Sequence, residues 1–177
     1  GDYLQYAWLR VTIPSVAFAT TNSVDTGGTT TNGPLRWTKN LGHALIQKAE
    51  LKFNDLVAQT FQGDFLDFWA AFNVESSKSV GYDNMIGNVP SLTDGVAPGN
   101  SLPEYNINVP LPFFFSRDSG LSLPTAALPY NEIKMSITLR DWNQLLIVSD
   151  ISKAVTVEQR AAASTADITT APSLTNG

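Results

Sequence analysis

Apolar and polar residues alternate with a period of two through much of the chain. Over residues 3–14, Ala7, Leu9, Val11 and Ile13 alternate with Trp8, Arg10 and Thr12, which predicts a strand with one face turned inward. Residues 43–61 predict a hairpin. Ala49, Leu51 and Phe53 point one way, Lys48, Glu50 and Lys52 the other, Asn54-Asp55 makes the turn and 56–61 returns. Asn-Asp is a weaker turn signal than Asn-Gly, because only Gly takes positive φ without steric cost. Tyr105, Ile107, Val109, Leu111, Phe113 and Phe115 share one side of a strand over 105–115, with Pro110 and Pro112 on the other. A proline cannot donate to a sheet ladder, so this strand lies at an edge or breaks there. The cleanest alternation is 132–140, with Ile133, Met135, Ile137 and Leu139 expected inward and Glu132, Lys134, Ser136, Thr138 and Arg140 outward. Residues 145–148 read as a short buried strand.

Helical spacing interrupts this pattern once. Phe65, Phe68, Trp69 and Phe72 fall at i, i+3, i+4 and i+7 and share one face of a helix over 64–72. That stripe is expected to dock on the sheets, held by packing and not by propensity. Asp64 is the expected N-cap, and Asp67 suits the first turn. A second, weaker helical or turn segment covers 75–84. Residues 15–35, rich in Thr, Gly and Asn, and the breaker-rich 87–103 read as long exposed loops. Residues 116–129 read as a structured connection, and beyond 150 the pattern fades into an extended or loosely held tail. Five to seven strands with one or two short helices in the loops predict an all-β, antiparallel β-sandwich, most simply a jelly roll or an immunoglobulin-like fold. Its domain occupies 1–150, and a variable extended tail or loop occupies 151–177. The strand count falls short of the eight of a jelly roll, and the chain opens with Tyr3 already in a strand, so it reads as an internal piece of a longer polypeptide.

Composition removes most chemistry from consideration. The 177 residues carry 11 basic and 16 acidic side chains, a net charge of −5, with no Cys and one His. The basic residues form no run, which argues against direct nucleic-acid binding. Without Cys there is no disulfide and no thiolate site. No apolar stretch reaches the roughly 18 residues of a membrane span. A Ser-His-Asp triad would have to use His43, and no Gly-x-Ser-x-Gly surrounds any Ser. His43 therefore reads as a surface or partly buried polar residue at the start of a strand. Asp64 and Asp67 have the look of a glycosidase carboxylate pair, but their place at a helix start explains both. Asp118-Ser119-Gly120-Leu121-Ser122 has phosphodegron spacing and reads as a turn. Phe113-Phe114-Phe115 reads as a strand buried on both faces, with an exposed ring at an interface as the other option. No catalytic, cofactor-binding or metal-binding residue emerges, and neither an enzyme nor a cofactor is expected.

Several strings are more specific than composition. They are Gly1-Asp2-Tyr3-Leu4, Arg36-Trp37-Thr38-Lys39-Asn40, Phe53-Asn54-Asp55-Leu56-Val57-Ala58-Gln59, Phe65-Leu66-Asp67-Phe68-Trp69 and Gly81-Tyr82-Asp83-Asn84-Met85-Ile86-Gly87-Asn88. The longest runs from Leu111-Pro112-Phe113-Phe114-Phe115-Ser116-Arg117-Asp118-Ser119-Gly120-Leu121 to Leu128-Pro129-Tyr130-Asn131-Glu132. In this order, over residues 1–148, they resemble the major capsid protein family of iridoviruses, which are nucleocytoplasmic large DNA viruses.

The resemblance implies the viral jelly roll that forms the first half of a double jelly roll, with its first and last strands absent from this sequence. It further implies a homotrimer that forms a pseudo-hexagonal capsomer. Capsomers then tile an icosahedral shell beside minor capsid and penton proteins, with an internal viral membrane nearby, in a virion assembled in the host cytoplasm. On this view strands such as 132–140 give rigidity, and 15–35 and 87–103 project to exterior or inter-subunit surfaces. The alternatives are a carbohydrate-binding jelly-roll attachment domain using Trp37 or Tyr82, and a hydrolase using His43.

Overall fold

The structure, a computed structural model, describes residues 3–18, 34–97, 100–128, 130, 132–148, 157–160 and 168–170. In chain order the strands are β1 (Tyr3–Leu4), β2 (Trp8–Ile13), β3 (Ser15–Phe18), β4 (Leu35–Trp37), β5 (Ile46–Phe53), β6 (Leu56–Gln62), β7 (Ser101–Leu102), β8 (Tyr105–Pro110), β9 (Leu123–Pro124), β10 (Ile133–Leu139), β11 (Leu146–Val148), β12 (Val157–Arg160) and β13 (Ile168–Thr170). The α-helices are α1 (Leu41–Leu45), α2 (Gly63–Asn73), α3 (Ser79–Ile86) and α4 (Pro90–Thr93). The antiparallel all-β class expected from the alternation is what forms. It is built from more and shorter strands than the pattern counted, and it carries four short helices among the described residues rather than one or two. Two compact units result, one of Gly1–Val11, Gly42–Ile86 and Ile107–Arg140, the other of Thr12–Leu41, Gly87–Asn106 and Asp141–Gly177.

The first unit centres on β5, flanked by β10 and β6 in one antiparallel sheet. Residues opposite one another share a face. Met135 faces Leu51, Ile137 faces Ala49, and Ala49 faces Phe61 on the far side. Ala49, Leu51 and Phe61 are buried, and the Phe61 ring lies 5.1 Å from that of Phe113. The opposite face carries Lys48, Glu50 and Lys52, as the hairpin pattern predicts. Lys48 and Lys52 reach Glu50 at 2.5 and 3.2 Å, and these hydrogen bonds hold the Glu50 carboxyl below its usual range.

The turn works despite its weak signal. Asn54 takes φ 54°, a left-handed conformation that Asn tolerates better than other residues with a side chain. It is also pinned from outside: its N–H donates to the Glu132 carbonyl at 2.7 Å, and its Oδ1 accepts the Glu132 N–H at 2.9 Å.

Two expectations in this unit need correction. On β10, Met135 and Leu139 of the nominally inward face are exposed. The strand lies at the edge of its sheet, and burial on that face falls on Ala49 and Leu51 of β5 and Phe61 of β6 among the described residues. The predicted strand 105–115 ends at Pro110 in β8, which pairs with β2. The Leu111 N–H still donates to the Ala7 carbonyl, at 3.0 Å, and the chain then tightens into a 3-10 turn at Phe114–Ser116. The inward alternation outlives the strand: Leu111, Phe113 and Phe115 are all buried, while Phe114 is half-buried and its N–H is bonded to the Gln59 side chain.

The second unit holds the sheet β13-β12-β3-β7 and the pair β11-β4. Here the expected loop over 15–35 gives way at both ends. Ser15–Phe18 is a strand with Val16 and Ala17 buried, and Leu35–Trp37 pairs with β11. Val16, Ala17 and Phe18 are consecutive apolar residues without alternation, so their strand is masked by the polar tract that follows. Residues 19–33 lie outside the described residues.

The 87–103 segment is also more structured than expected, with α4, β7 and a bridge between Leu35 and Val96. Gly95 takes φ 86° with the Pro34 side chain packed against it, so a side chain there would be strained. In the 151–177 tract, β12 pairs with β3 and β13 adds outside it.

The burial pattern sets an asymmetry. Leu51→Ala removes a buried side chain at the sheet centre and is expected to cost about 2–5 kcal/mol. Leu56→Ala, at an exposed position of the same hairpin, is expected to stay within about 0.5 kcal/mol of wild type. Chemical denaturation of both variants checks this; equal effects would contradict the placement of the core.

Candidate functional site

His43 lies on α1, one turn before β5, and not on a strand. It is 1% exposed, so its reading as a surface or partly buried residue fails. Nδ1 lies 2.6 Å from Asp67 Oδ1 on α2, and Nε2 lies 2.8 Å from the Tyr82 hydroxyl on α3. Two glycines make this meeting of three helices possible. A Cβ on Gly42 would lie 2.7 Å from Val109 Cγ2 and 2.9 Å from Ile107 Cγ2. A Cβ on Gly63 would collide with the carbonyl oxygens of His43 and Ile46. The first turn of α2 therefore lies directly on α1 and the start of β5, and Asp67, one turn on, reaches the imidazole.

Burial, reinforced by the charges of Asp67 and Asp83, pushes the Tyr82 phenol well above its ordinary range. The phenol stays protonated, hydrogen-bonded to Nε2, while Nδ1 is bonded to the Asp67 carboxylate. Both ring nitrogens are thus engaged, and the imidazole offers neither to a substrate.

Helices α2 and α3 line an open groove of about 1000 Å³ in the first unit. Its walls include Tyr6, Trp8, Trp69, Tyr82, Pro112 and Met85, with Arg117, Asn73, Glu75 and Lys78 among its polar groups. Trp8 is 56% exposed and Tyr6 60%. Trp8 occupies an outward position in an alternating strand, so its outward aim was legible, but the convergence of four aromatic side chains from distant segments was not.

The aromatic stripe of α2 is not docked as expected. Gly63 and Leu66 are its buried residues, because the glycine contact turns that face down. Phe65 is half-buried beside Phe61. Phe68 and Phe72 are 63% and 75% exposed, with ring centroids 4.7 Å apart.

The remaining candidates separate. Asp64 is exposed in the first turn of α2, and the N-cap is Gln62, without a side-chain capping bond. Asp67 serves His43, so the two aspartates do not act as a carboxylate pair. Trp37 is buried on β4 and cannot stack on a sugar at the surface. Tyr82 lines the groove with its hydroxyl already bonded. Residues 118–122 form the expected turn: the Leu121 N–H donates to the Asp118 carbonyl, and Ser122 Oγ donates to the Ser119 carbonyl. Among the described residues no three His, Asp or Glu side chains group as metal ligands, and no helix is long and apolar enough to cross a membrane.

Comparison with known proteins adds a family. A family model described as major capsid protein N-terminus matches residues 1–173. A major capsid protein of Invertebrate iridescent virus 6 is 51% identical over 100% of the chain and 38% of its own length. That of Simulium iridescent virus is 56% identical over 85% of the chain and 31% of its length. That of Lymphocystis disease virus 1 (isolate Darai) is 49% identical over 83% and 31%. The chain thus spans 31–38% of the length of these curated relatives.

Among solved structures, the Faustovirus major capsid protein aligns with a TM-score of 0.65 at 15% identity, over 92% of the chain and 42% of that protein. PBCV-1 VP54, in a crystal structure fitted into a cryo-EM reconstruction of the virophage Sputnik, aligns at 0.51 and 24% identity, over 78% and 28%. These likenesses show the fold, that of the viral double jelly-roll proteins.

The Tyr82 shift predicts an alkaline signature. A phenol whose folded pKa lies above its unfolded value contributes stability in full below the ordinary phenol range, and loses it as pH rises through the folded value. Of the five tyrosines, Tyr82 is therefore expected to ionise last, seen as a late step in ultraviolet absorbance. The step is absent in Tyr82→Phe and moves to lower pH in Asp67→Asn. An unchanged titration in both variants would contradict the network.

Proposed function

The chain belongs to the major capsid protein N-terminus family, and from that premise we propose that it forms the first jelly roll of a viral shell subunit. The match over residues 1–173 carries this reading. The role is structural, with no reaction attached. Antiparallel sheets supply stiffness, and the protein works by standing beside copies of itself in the capsid shell of the virion.

The finer picture follows from the same premise. Three full-length chains form a pseudo-hexagonal capsomer, and capsomers tile an icosahedral shell. Minor capsid and penton proteins join that shell, an internal membrane lies beneath it, and assembly takes place in the host cytoplasm. Modest contacts suffice when symmetry repeats them, each pair burying on the order of 1,000 Å² or more.

Two features support the reading. Exposed apolar groups such as Phe68, Phe72, Met135 and Leu139 are the kind of surface that repeated contacts cover. The net charge of −5 suits a protein that encloses a genome without gripping it.

The experiment is assembly of the full-length protein. Wild type is expected to sediment as a trimer and to build shells visible by electron microscopy. Phe68→Asp combined with Phe72→Asp, at exposed positions, is expected to leave folding within about 0.5 kcal/mol while reducing assembly. A wild-type protein that stays monomeric at assembly concentrations would sink the reading. Hydrogen exchange on particles adds a local check, with Ile133–Leu139 expected to exchange more slowly than residues 87–100.

A further inference from the structure

We propose that the groove of the first unit binds an acidic oligosaccharide, with its sugar rings laid on Tyr6, Trp8 and Trp69 and its carboxylate held by Arg117. The site is independent of trimer formation and requires only that the groove face solvent in the particle.

Shape and lining point to this class of ligand. At about 1000 Å³ and open to solvent, the groove sits at the upper end of small-ligand sites. Two of the four tryptophans of the chain line it, and Trp8 keeps 56% of its surface exposed. Indole and phenol rings present a flat apolar face with a polar edge. A pyranose presents the matching combination, a face of C–H groups rimmed by hydroxyls. The Tyr82 hydroxyl is held by His43 at 2.8 Å, so this wall is fixed by a buried bond before any ligand arrives.

The polar groups complete the match. Asn73 Nδ2 donates to the Trp69 carbonyl at 2.8 Å, which leaves the amide oxygen to accept from a sugar hydroxyl. Glu75 and Lys78 pair with each other at 3.4 Å. Arg117 lines the same groove and forms no ion pair among the described residues. A guanidinium with no ion-pair partner among the described residues is complementary to a single carboxylate on the ligand, which it can take in two parallel hydrogen bonds. A polyphosphate chain would need several such cations. A lipid tail would need an enclosed apolar cavity without a charged rim.

The test applies intact particles, and full-length protein released from them, to an array of neutral and carboxylate-bearing oligosaccharides. Particles are expected to retain the acidic ones. Arg117→Gln is expected to weaken this binding about tenfold and to erase the preference over neutral analogues. Trp8→Ala is expected to weaken both by at least about tenfold, whereas Trp8→Phe, which keeps a ring, holds binding near wild type. Electron microscopy first establishes that each variant assembles. If Trp8→Ala does not, Arg117→Gln and Trp8→Phe carry the test. No retention of any glycan by particles overturns the proposal, as does binding indifferent to Arg117→Gln. Binding by released protein alone overturns it as well, and assigns the groove to a contact between copies.

Discussion

At Gly63 the backbone of α2 lies so close to the carbonyls of His43 and Ile46 that no side chain fits between them. Much of the first unit follows from that approach. It seats the first turn of the helix on α1 and the start of β5 and turns Gly63 and Leu66 into the core. It also brings Asp67 within 2.6 Å of the buried imidazole. His43 then reaches across to Tyr82 and joins α3 to the same point. A solvent-exposed ion pair in this place would add little. A buried imidazole with both nitrogens satisfied does more, because loss of either partner leaves an unpaired polar group in the interior. The orientation of α2, and with it the outward aim of Phe68 and Phe72 and one wall of the groove, depends on a glycine.

The sequence is most legible where one face of a strand is buried and the other is wet. The hairpin of β5 and β6 formed with the expected faces because Lys48, Glu50 and Lys52 cannot share a side with Ala49 and Leu51 without reversing the whole register. The alternation through Phe115 was read correctly as burial and incorrectly as strand, because burial and pairing part company where Pro110 ends the ladder. β10 shows the opposite failure. Its alternation is perfect, yet Met135 and Leu139 are exposed, since a pattern records which face is apolar and not whether anything covers it.

The helical stripe misled for a related reason. Four aromatic residues at helical spacing predict a docked face, but the packing of α2 was decided by a residue with no side chain, and hydrophobic spacing does not report a glycine contact. His43 looked inert in sequence because its partners lie 24 and 39 residues away, at Asp67 and Tyr82. The groove was invisible for the same reason. The family resemblance, carried by whole strings of residues, survived these local errors, because it does not depend on any single side chain being placed correctly.

The order in which the central sheet is completed bears on how such a protein is made. β5 and β6 are adjacent and close through a short turn, but the other edge of β5 pairs with β10, where Ile133 meets Phe53. The roughly 80 residues between them take about 4–16 s to synthesise at typical translation rates. During that interval a growing chain on the ribosome presents a half-built sheet whose open edge can pair with a neighbouring nascent chain as readily as with its own missing strand.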